Sequence, residues 1–244
     1  MFMPTINLHR TTDTRIVGGM EATIDRVPYL INLRQNGQFS CGGSLITTKC
    51  VLTAAHCVYG VSPSTLTINA GASKLTDPSE IRQVQQSFVS SFYSPSTLDM
   101  DVAVLKLSEP LMGPNIATIP LCSNRPGSNE FVRVSGWGVT SENNQLPSNQ
   151  VRTVTIRVVS REECMKAYAG KALITSTMFC ASVPGERDSC SGDSGGPVVY
   201  NGQVCGIVSW GFGCGRREFP GVYTNVASLR ISAFVKTIVM QNCM

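Results

Sequence analysis

What this chain can fold into is limited first by the brevity of its apolar runs. The segments "YLINLRQ", "GGSLIT", "CVLTAAH", "LTINAG", "VAVLKL", "FVRVSGWG", "VRTVTIRVV", "PVVY", "QVCGIVSWG" and "GVYTNV" are short, rich in β-branched residues and bounded by Gly, Pro, Asn or Ser. Such runs read as strands joined by turns, and their spacing suits a barrel or sandwich rather than alternating βαβ units. With 244 residues, 42% of them apolar, the chain can bury one large two-lobed core or two small ones. An all-β protein is predicted. One segment departs from the pattern: over residues 228–241, Leu229, Ile231, Phe234, Val235, Ile238 and Val239 recur at helical spacing behind Ser228, a good N-cap. It is the one segment that reads as helix. Around residues 116–130 the composition turns to Pro, Ser, Asn and Gly, which marks a linker between two β lobes.

Ten cysteines, an even number, stand at 41, 50, 57, 122, 164, 180, 190, 205, 214 and 243. So many thiols predict disulfides formed in an oxidising compartment. A zinc site is the competing reading, but no C-x-x-C knuckle occurs. Secretion is expected, yet "MFMPTINLHRTTDTR" has no basic n-region and only a short, interrupted apolar stretch, so a signal peptide is expected to be missing from this chain. The formal charge of +4 is spread without a Lys/Arg block, which argues against nucleic acid or an anionic membrane as partner. No apolar run approaches the roughly 18 residues that span a bilayer.

Chemistry is concentrated in "DSCSGDSGGP", residues 188–197. A serine flanked by glycines behind an acid suits a nucleophile on a tight turn, where backbone N–H groups can face an oxyanion; a Ser/Gly surface loop is the alternative. A serine needs a base, and the chain holds two histidines, His9 and His56. His9 lies in the N-terminal segment, which leaves His56, at the end of an apolar strand beside Cys57. A histidine base needs a carboxylate to hold its tautomer. "LDMDVAVLKL" offers Asp99 and Asp101; Asp101 abuts the apolar strand and is the one expected to be buried, with Asp99 nearer the rim.

The motifs "RIVGG" at 15–19, "LTAAHC" at 52–57, "DMDVAVLKL" at 99–107, "SGWG" at 135–138, "DSCSGDSGGP" and "GIVSWGFGCG" at 206–215 stand in an order that resembles the trypsin-like branch of the chymotrypsin-fold serine peptidases. The resemblance implies two six-stranded antiparallel β-barrels with a C-terminal helix, spanning 16–244 behind an activation segment, 1–15. It implies Ser194 as nucleophile, His56 as general base and then acid, Asp101 as orienting carboxylate, and the N–H groups of Gly192 and Ser194 as the oxyanion hole. Asp188 at the pocket floor would select Arg or Lys, with Ser189 lining the pocket, Ser191 at its mouth, Gly211 and Gly221 keeping its walls open, and Ser209 and Trp210 presented to the substrate. Cleavage between Arg15 and Ile16, by another trypsin-like peptidase or by the enzyme itself, would free an ammonium to pair with Asp193.

The resemblance also pairs Cys41–Cys57, Cys164–Cys180 and Cys190–Cys214. The remaining four cysteines allow three connectivities; because the C-terminal helix of this fold packs on the first barrel, Cys50–Cys243 with Cys122–Cys205 is favoured. Val132 and Tyr200 stand where many relatives carry a bridged pair, so that bridge is absent. "GASKLTDPSEI" is poor in carboxylates where calcium-binding relatives have an acidic loop, so neither a metal nor a cofactor is expected. No N-x-[ST] sequon occurs. The implied protein is a secreted, monomeric endopeptidase acting on polypeptides and met by protein protease inhibitors. The alternative is a non-catalytic homologue that keeps the fold as a binding module.

Overall fold

The structure, a computed structural model, describes residues 19–139, 146–182, 192–213 and 218–243. After a short strand β1 (Met20–Glu21), six strands form the first barrel: β2 (Leu30–Gln35), β3 (Gln38–Thr47), β4 (Cys50–Thr53), β5 (Leu66–Ala70), β6 (Glu80–Val89) and β7 (Ala103–Leu107). They close in the order β2-β3-β4-β7-β6-β5, every pairing antiparallel. The second barrel comprises β8 (Phe131–Gly136), β9 (Arg152–Val158), β10 (Met178–Ser182), β11 (Pro197–Tyr200), β12 (Gln203–Trp210) and β13 (Gly221–Asn225). It runs β9-β10-β13-β12-β11-β8 and closes through the β8–β9 pairing, with β1 added alongside β9.

Local chemistry accounts for the sharp turns. Asn36 and Gly37 between β2 and β3 have φ of 50° and 80°, and Asn201 and Gly202 between β11 and β12 have 48° and 73°. Two consecutive left-handed residues make the tight hairpin whose twist matches that of its strands, and Asn-Gly is the dipeptide that tolerates it best. Closure removes the edges that would otherwise offer unpaired backbone groups to other chains.

Two cores result. The first barrel is filled by Leu30, Ile31, Leu33, Leu45, Leu52 and Ile68, all at most 1% exposed, and the same cluster takes in Ile231, Val235 and Cys243 near the C-terminus. The second is filled by Val132, Val134, Ile156, Phe179, Val198 and Tyr223. Burying each such side chain contributes about 1.5–3 kcal/mol.

The helix expected at the C-terminus runs Leu229–Asn242, capped by Ser228, whose hydroxyl accepts from the Ile231 N–H. A second helix, which the sequence reading did not contain, lies ahead of it. We label the two α1 (Arg161–Ala167) and α2 (Leu229–Asn242). With only seven residues, α1 shows no apolar period, but Ser160 and Glu163 form a reciprocal capping box. That S-x-x-E signature was the available signal.

Among the described residues, four disulfides tie these parts together: Cys41–Cys57, Cys50–Cys243, Cys122–Cys205 and Cys164–Cys180. Cys190 and Cys214 lie outside the described residues. Cys50–Cys243 fastens the end of α2 to β4, and Cys122–Cys205 fastens the interbarrel connection to β12. Val132 is buried in the second core, while the Tyr200 hydroxyl donates to Glu130 at 2.8 Å.

Candidate active site

The polar centre of the molecule lies where the two barrels meet. Strand β4 ends at Thr53, and a single 3-10 turn, Ala55–Cys57, carries His56. The disulfide from Cys57 back to Cys41 in β3 pins that turn. Next to it on the neighbouring strand, which pairs Ala103 with Thr53, comes Asp101, two residues before β7 and 1% exposed. Its Oδ1 accepts the His56 backbone N–H at 2.9 Å, and its Oδ2 lies 2.8 Å from His56 Nδ1. Because a carboxylate can only accept, Nδ1 carries the hydrogen, which leaves the lone pair on Nε2, 3.7 Å from Cys57 Sγ, able to accept a proton.

The second barrel completes the shell around Asp101. Ser209 in β12 donates its hydroxyl to Oδ2, and Thr224 in β13 donates to the Asp101 main-chain oxygen at 2.8 Å. A buried carboxylate survives in a protein interior when donors replace its water, here the His56 N–H and Nδ1–H and the Ser209 hydroxyl. The sequence reading gave Ser209 to substrate; its hydroxyl also serves Asp101. Thr224 was missed, and the only sequence signal was a threonine in an apolar strand. Tyr93 was missed as well. Its hydroxyl is pushed up to about 12 by burial, by the negative charge of Asp101 and by Tyr59, against which it packs edge-on at 5.2 Å.

The structure separates the two acids of "LDMDVAVLKL". Asp99, half-buried, turns away from His56 to accept from the Thr175 hydroxyl at 2.7 Å and from the Thr177 hydroxyl, and lies 3.5 Å from Arg230 Nη1. Burial pushes its carboxyl up, but the Thr177 and Thr175 hydroxyls and the Arg230 charge together carry it below its ordinary value.

Ser194 is half-buried on the turn before β11. The turn is pressed onto the first barrel: the Gly42 N–H donates to the Ser194 carbonyl at 2.8 Å, and a Cβ at Gly195 would come within 2.2 Å of Thr53 Oγ1 and 2.6 Å of the Gly42 oxygen. Gly195 also has φ +78°, so any side chain there is excluded twice over. The same imagined Cβ would lie 3.3 Å from the Ala54 N, two residues before His56, which brings Ser194 to the His56 turn. Gly195 and Gly196 commit their N–H groups to Val208 O and Asp193 O, whereas those of Gly192 and Ser194 have no protein acceptor among the described residues. Asp193 is 1% exposed, and its Oδ1 accepts the Gly138 N–H at 2.9 Å.

Beside this turn, Trp210 at the end of β12 packs edge-on against Tyr168 at 5.0 Å and borders a cavity of about 420 Å³ also lined by Leu98, Lys171, Leu173 and Phe212. Gly211 and Gly221 face each other: a Cβ on Gly211 would lie 3.8 Å from the Gly221 Cα. Larger residues at either position would narrow that gap. Asp188, Ser189, Ser191, Arg15 and Ile16 lie outside the described residues. Cys41, His56 and Cys57 bring ligand atoms within 4.8 Å of one another, but both sulfurs are spent in their disulfide and leave no thiolate for a metal.

Residues 16–232 match the Trypsin family model. Seminase of Drosophila melanogaster is 42% identical over 87% of this chain and 78% of its own length, and trypsin beta of Drosophila erecta is 41% identical over 89% and 87%. Among solved structures, neuropsin, a serine protease expressed in the limbic system of mouse brain, superposes with a TM-score of 0.82 at 32% identity, covering 91% of this chain and 98% of that one. The chain belongs to the trypsin family, and it is a serine endopeptidase of the chymotrypsin fold, acting on polypeptides.

Proposed function

We propose that the chain is a secreted endopeptidase, made as a zymogen, that cleaves after Arg or Lys through an acyl-enzyme on Ser194. The observation that carries the reading is the 2.8 Å contact between His56 Nδ1 and a buried Asp101, with the 192–196 turn packed against the same His56 turn. In the forward step the Ser194 oxygen adds to the substrate carbonyl carbon while His56 Nε2 takes its proton. The N–H groups of Gly192 and Ser194 receive the oxyanion. Loss of one such donor costs about 2.7–4 kcal/mol in serine peptidases generally. Collapse expels the amine, which leaves with the proton from His56, and water then enters by the same proton route to hydrolyse the ester. Asp101 stays ionised throughout, holding the ring and stabilising the imidazolium.

Selectivity is assigned to Asp188, which the family resemblance puts at the floor of the pocket whose walls Gly211 and Gly221 keep open. A carboxylate at the end of a closed slot favours a long cation. Leaving one member of a buried pair without its partner costs about 3–5 kcal/mol, or roughly two to four decades. Secretion is supported by the four disulfides, which persist in oxidising surroundings. For the zymogen, the support is the "TDTR" and "IVGG" junction together with the buried Asp193, a suitable counter-ion for the ammonium of Ile16. An activating peptidase and protein protease inhibitors follow as partners.

A peptide panel varied at the residue before the scissile bond tests the reading when applied to the intact chain, to an Arg15→Gln chain and to protein beginning at Ile16. Cleavage after Arg and Lys only in the processed form is expected. Equal turnover of Phe and Arg peptides overturns the specificity, and full activity of intact Arg15→Gln overturns the zymogen.

A further inference from the structure

Between β6 and β7 the chain crosses to the second barrel and returns, and Asp101 stands at the end of that excursion. Leu98 and Met100 have φ of 54° and 56°, so two non-glycine residues hold the left-handed conformation on either side of Asp99. Such residues persist where surrounding contacts over-determine them, and they gather at functional sites. Backbone contacts hold part of it: Leu98 N–H donates to Ser94 O at 2.7 Å, Ser94 N–H to Asp99 O at 3.1 Å and Val102 N–H to Met100 O at 2.7 Å, while the Asp99 N–H reaches Thr97 Oγ1 at 3.4 Å. The side chain of Asp99 adds bonds to other elements of the fold.

Its partners form a consistent set of donors. The Met100 N–H reaches Thr177 Oγ1 at 3.5 Å, and the Thr177 N–H reaches Thr175 Oγ1 at 3.3 Å. Each hydroxyl therefore takes an N–H and passes its own hydrogen to Asp99 Oδ1. Oδ2 is left for Arg230 at 3.5 Å. Thr177 is 1% exposed and its carbonyl accepts the Asn225 N–H at 2.7 Å, at the end of β13, the strand whose Thr224 holds the Asp101 main chain. Arg230, in the first turn of α2, adds a contact from the C-terminal helix and stacks over Phe92 at 5.2 Å from its centroid. One carboxylate thus gathers the excursion, the segment before β10 and α2.

We infer that Asp99 is a positioning residue for the reaction: by fastening the backbone at 98–100 to Thr175, Thr177 and Arg230, it sets where Asp101 presents its carboxylate and so where the His56 ring sits. This rests on the reading of His56 and Asp101 as base and orienting acid. Asp99 touches neither substrate nor His56; it acts through the two peptide units of chain that separate it from Asp101. Its carboxyl is held below the ordinary range by those same hydroxyls and Arg230 after burial has opposed them, so it stays ionised wherever the enzyme works near neutrality.

The experiment is steady-state kinetics on a small peptide substrate, with thermal melting and the proton NMR signal of the His56 Nδ1–H, for Asp99→Ala, Asp99→Asn, Thr175→Val and His56→Ala. An amide oxygen can accept both hydroxyl bonds, so Asp99→Asn keeps the fastening while losing the charge. We expect kcat to fall on the order of tenfold to a hundredfold in Asp99→Ala with KM little changed, the scale that follows small misplacement of a catalytic group. The downfield Nδ1–H signal should shift in the folded protein, and Asp99→Asn should restore both. Thr175→Val, which removes one donor without changing volume much, should show a smaller fall of the same kind and stands in if Asp99→Ala does not fold. Wild-type kcat and an unshifted signal in folded Asp99→Ala or Thr175→Val overturn the proposal, as does failure of Asp99→Asn to recover beyond Asp99→Ala. Undiminished activity of His56→Ala would instead overturn the reading on which it rests.

Discussion

The Ser209 hydroxyl donates to Asp101 Oδ2, the oxygen that also holds His56 Nδ1 at 2.8 Å. His56 belongs to the first barrel and Ser209 to the second, so this oxygen is where the two barrels are brought into register. Hydrogen bonds to a charged group contribute about 1.5–3 kcal/mol each. Ser209→Ala should therefore lower stability by about that much in urea unfolding and should reduce kcat by about a decade through the loosened carboxylate. Unchanged values of both would mean that the bond holds nothing.

The Cys50–Cys243 disulfide spans a sequence separation of 193 and closes everything from β4 to the end of α2 into one loop. Long loops constrain the unfolded ensemble most, although measured gains vary with native strain. The double replacement Cys50→Ala, Cys243→Ala should cost about 2–5 kcal/mol by denaturant unfolding. Activity per folded molecule should stay close to wild type, because the bridge ties α2 to the first residue of β4, whereas His56 follows the last.

Acid unfolding carries the signature of Asp99. Its carboxyl lies below the ordinary value of about 3.9 in the folded protein. Below the unfolded value the unfolded chain binds the proton that the folded chain refuses. The stabilisation is thus complete above that pH and is lost as pH falls through the lower folded value. Asp99→Asn should flatten this part of the stability profile as pH falls below about 4, measured by thermal melting at several pH values. An unaltered acid limb would show that Asp99 is not depressed.

Much of this was legible in residues. Short β-branched runs with Asn-Gly turns dictate hairpins, and the abutment of Asp101 on "VAVLKL" distinguished it from Asp99. Strand β6, "EIRQVQQSFV", was not among the runs because only Val84 of its ten residues is fully buried; pairing with β5 and β7 defines it, not its own pattern. Helix α1 was too short to show a period. Thr175, Thr177 and Thr224 carry no local mark of function. Their roles come from which strands meet: the Thr175 and Thr177 hydroxyls serve a carboxylate 76 or more residues away, and the Thr224 hydroxyl serves a main-chain oxygen still more distant in sequence, so neither leaves a trace in spacing.

The most direct measurement of the central claim, that His56 backed by Asp101 activates Ser194, is mass spectrometry of the active enzyme after reaction with a sulfonyl fluoride. The account predicts one equivalent of adduct, mapped to Ser194, formed at a rate that collapses in His56→Ala and Asp101→Asn. Adduct at another residue, or labelling of Ser194 at an undiminished rate in His56→Ala, would contradict it.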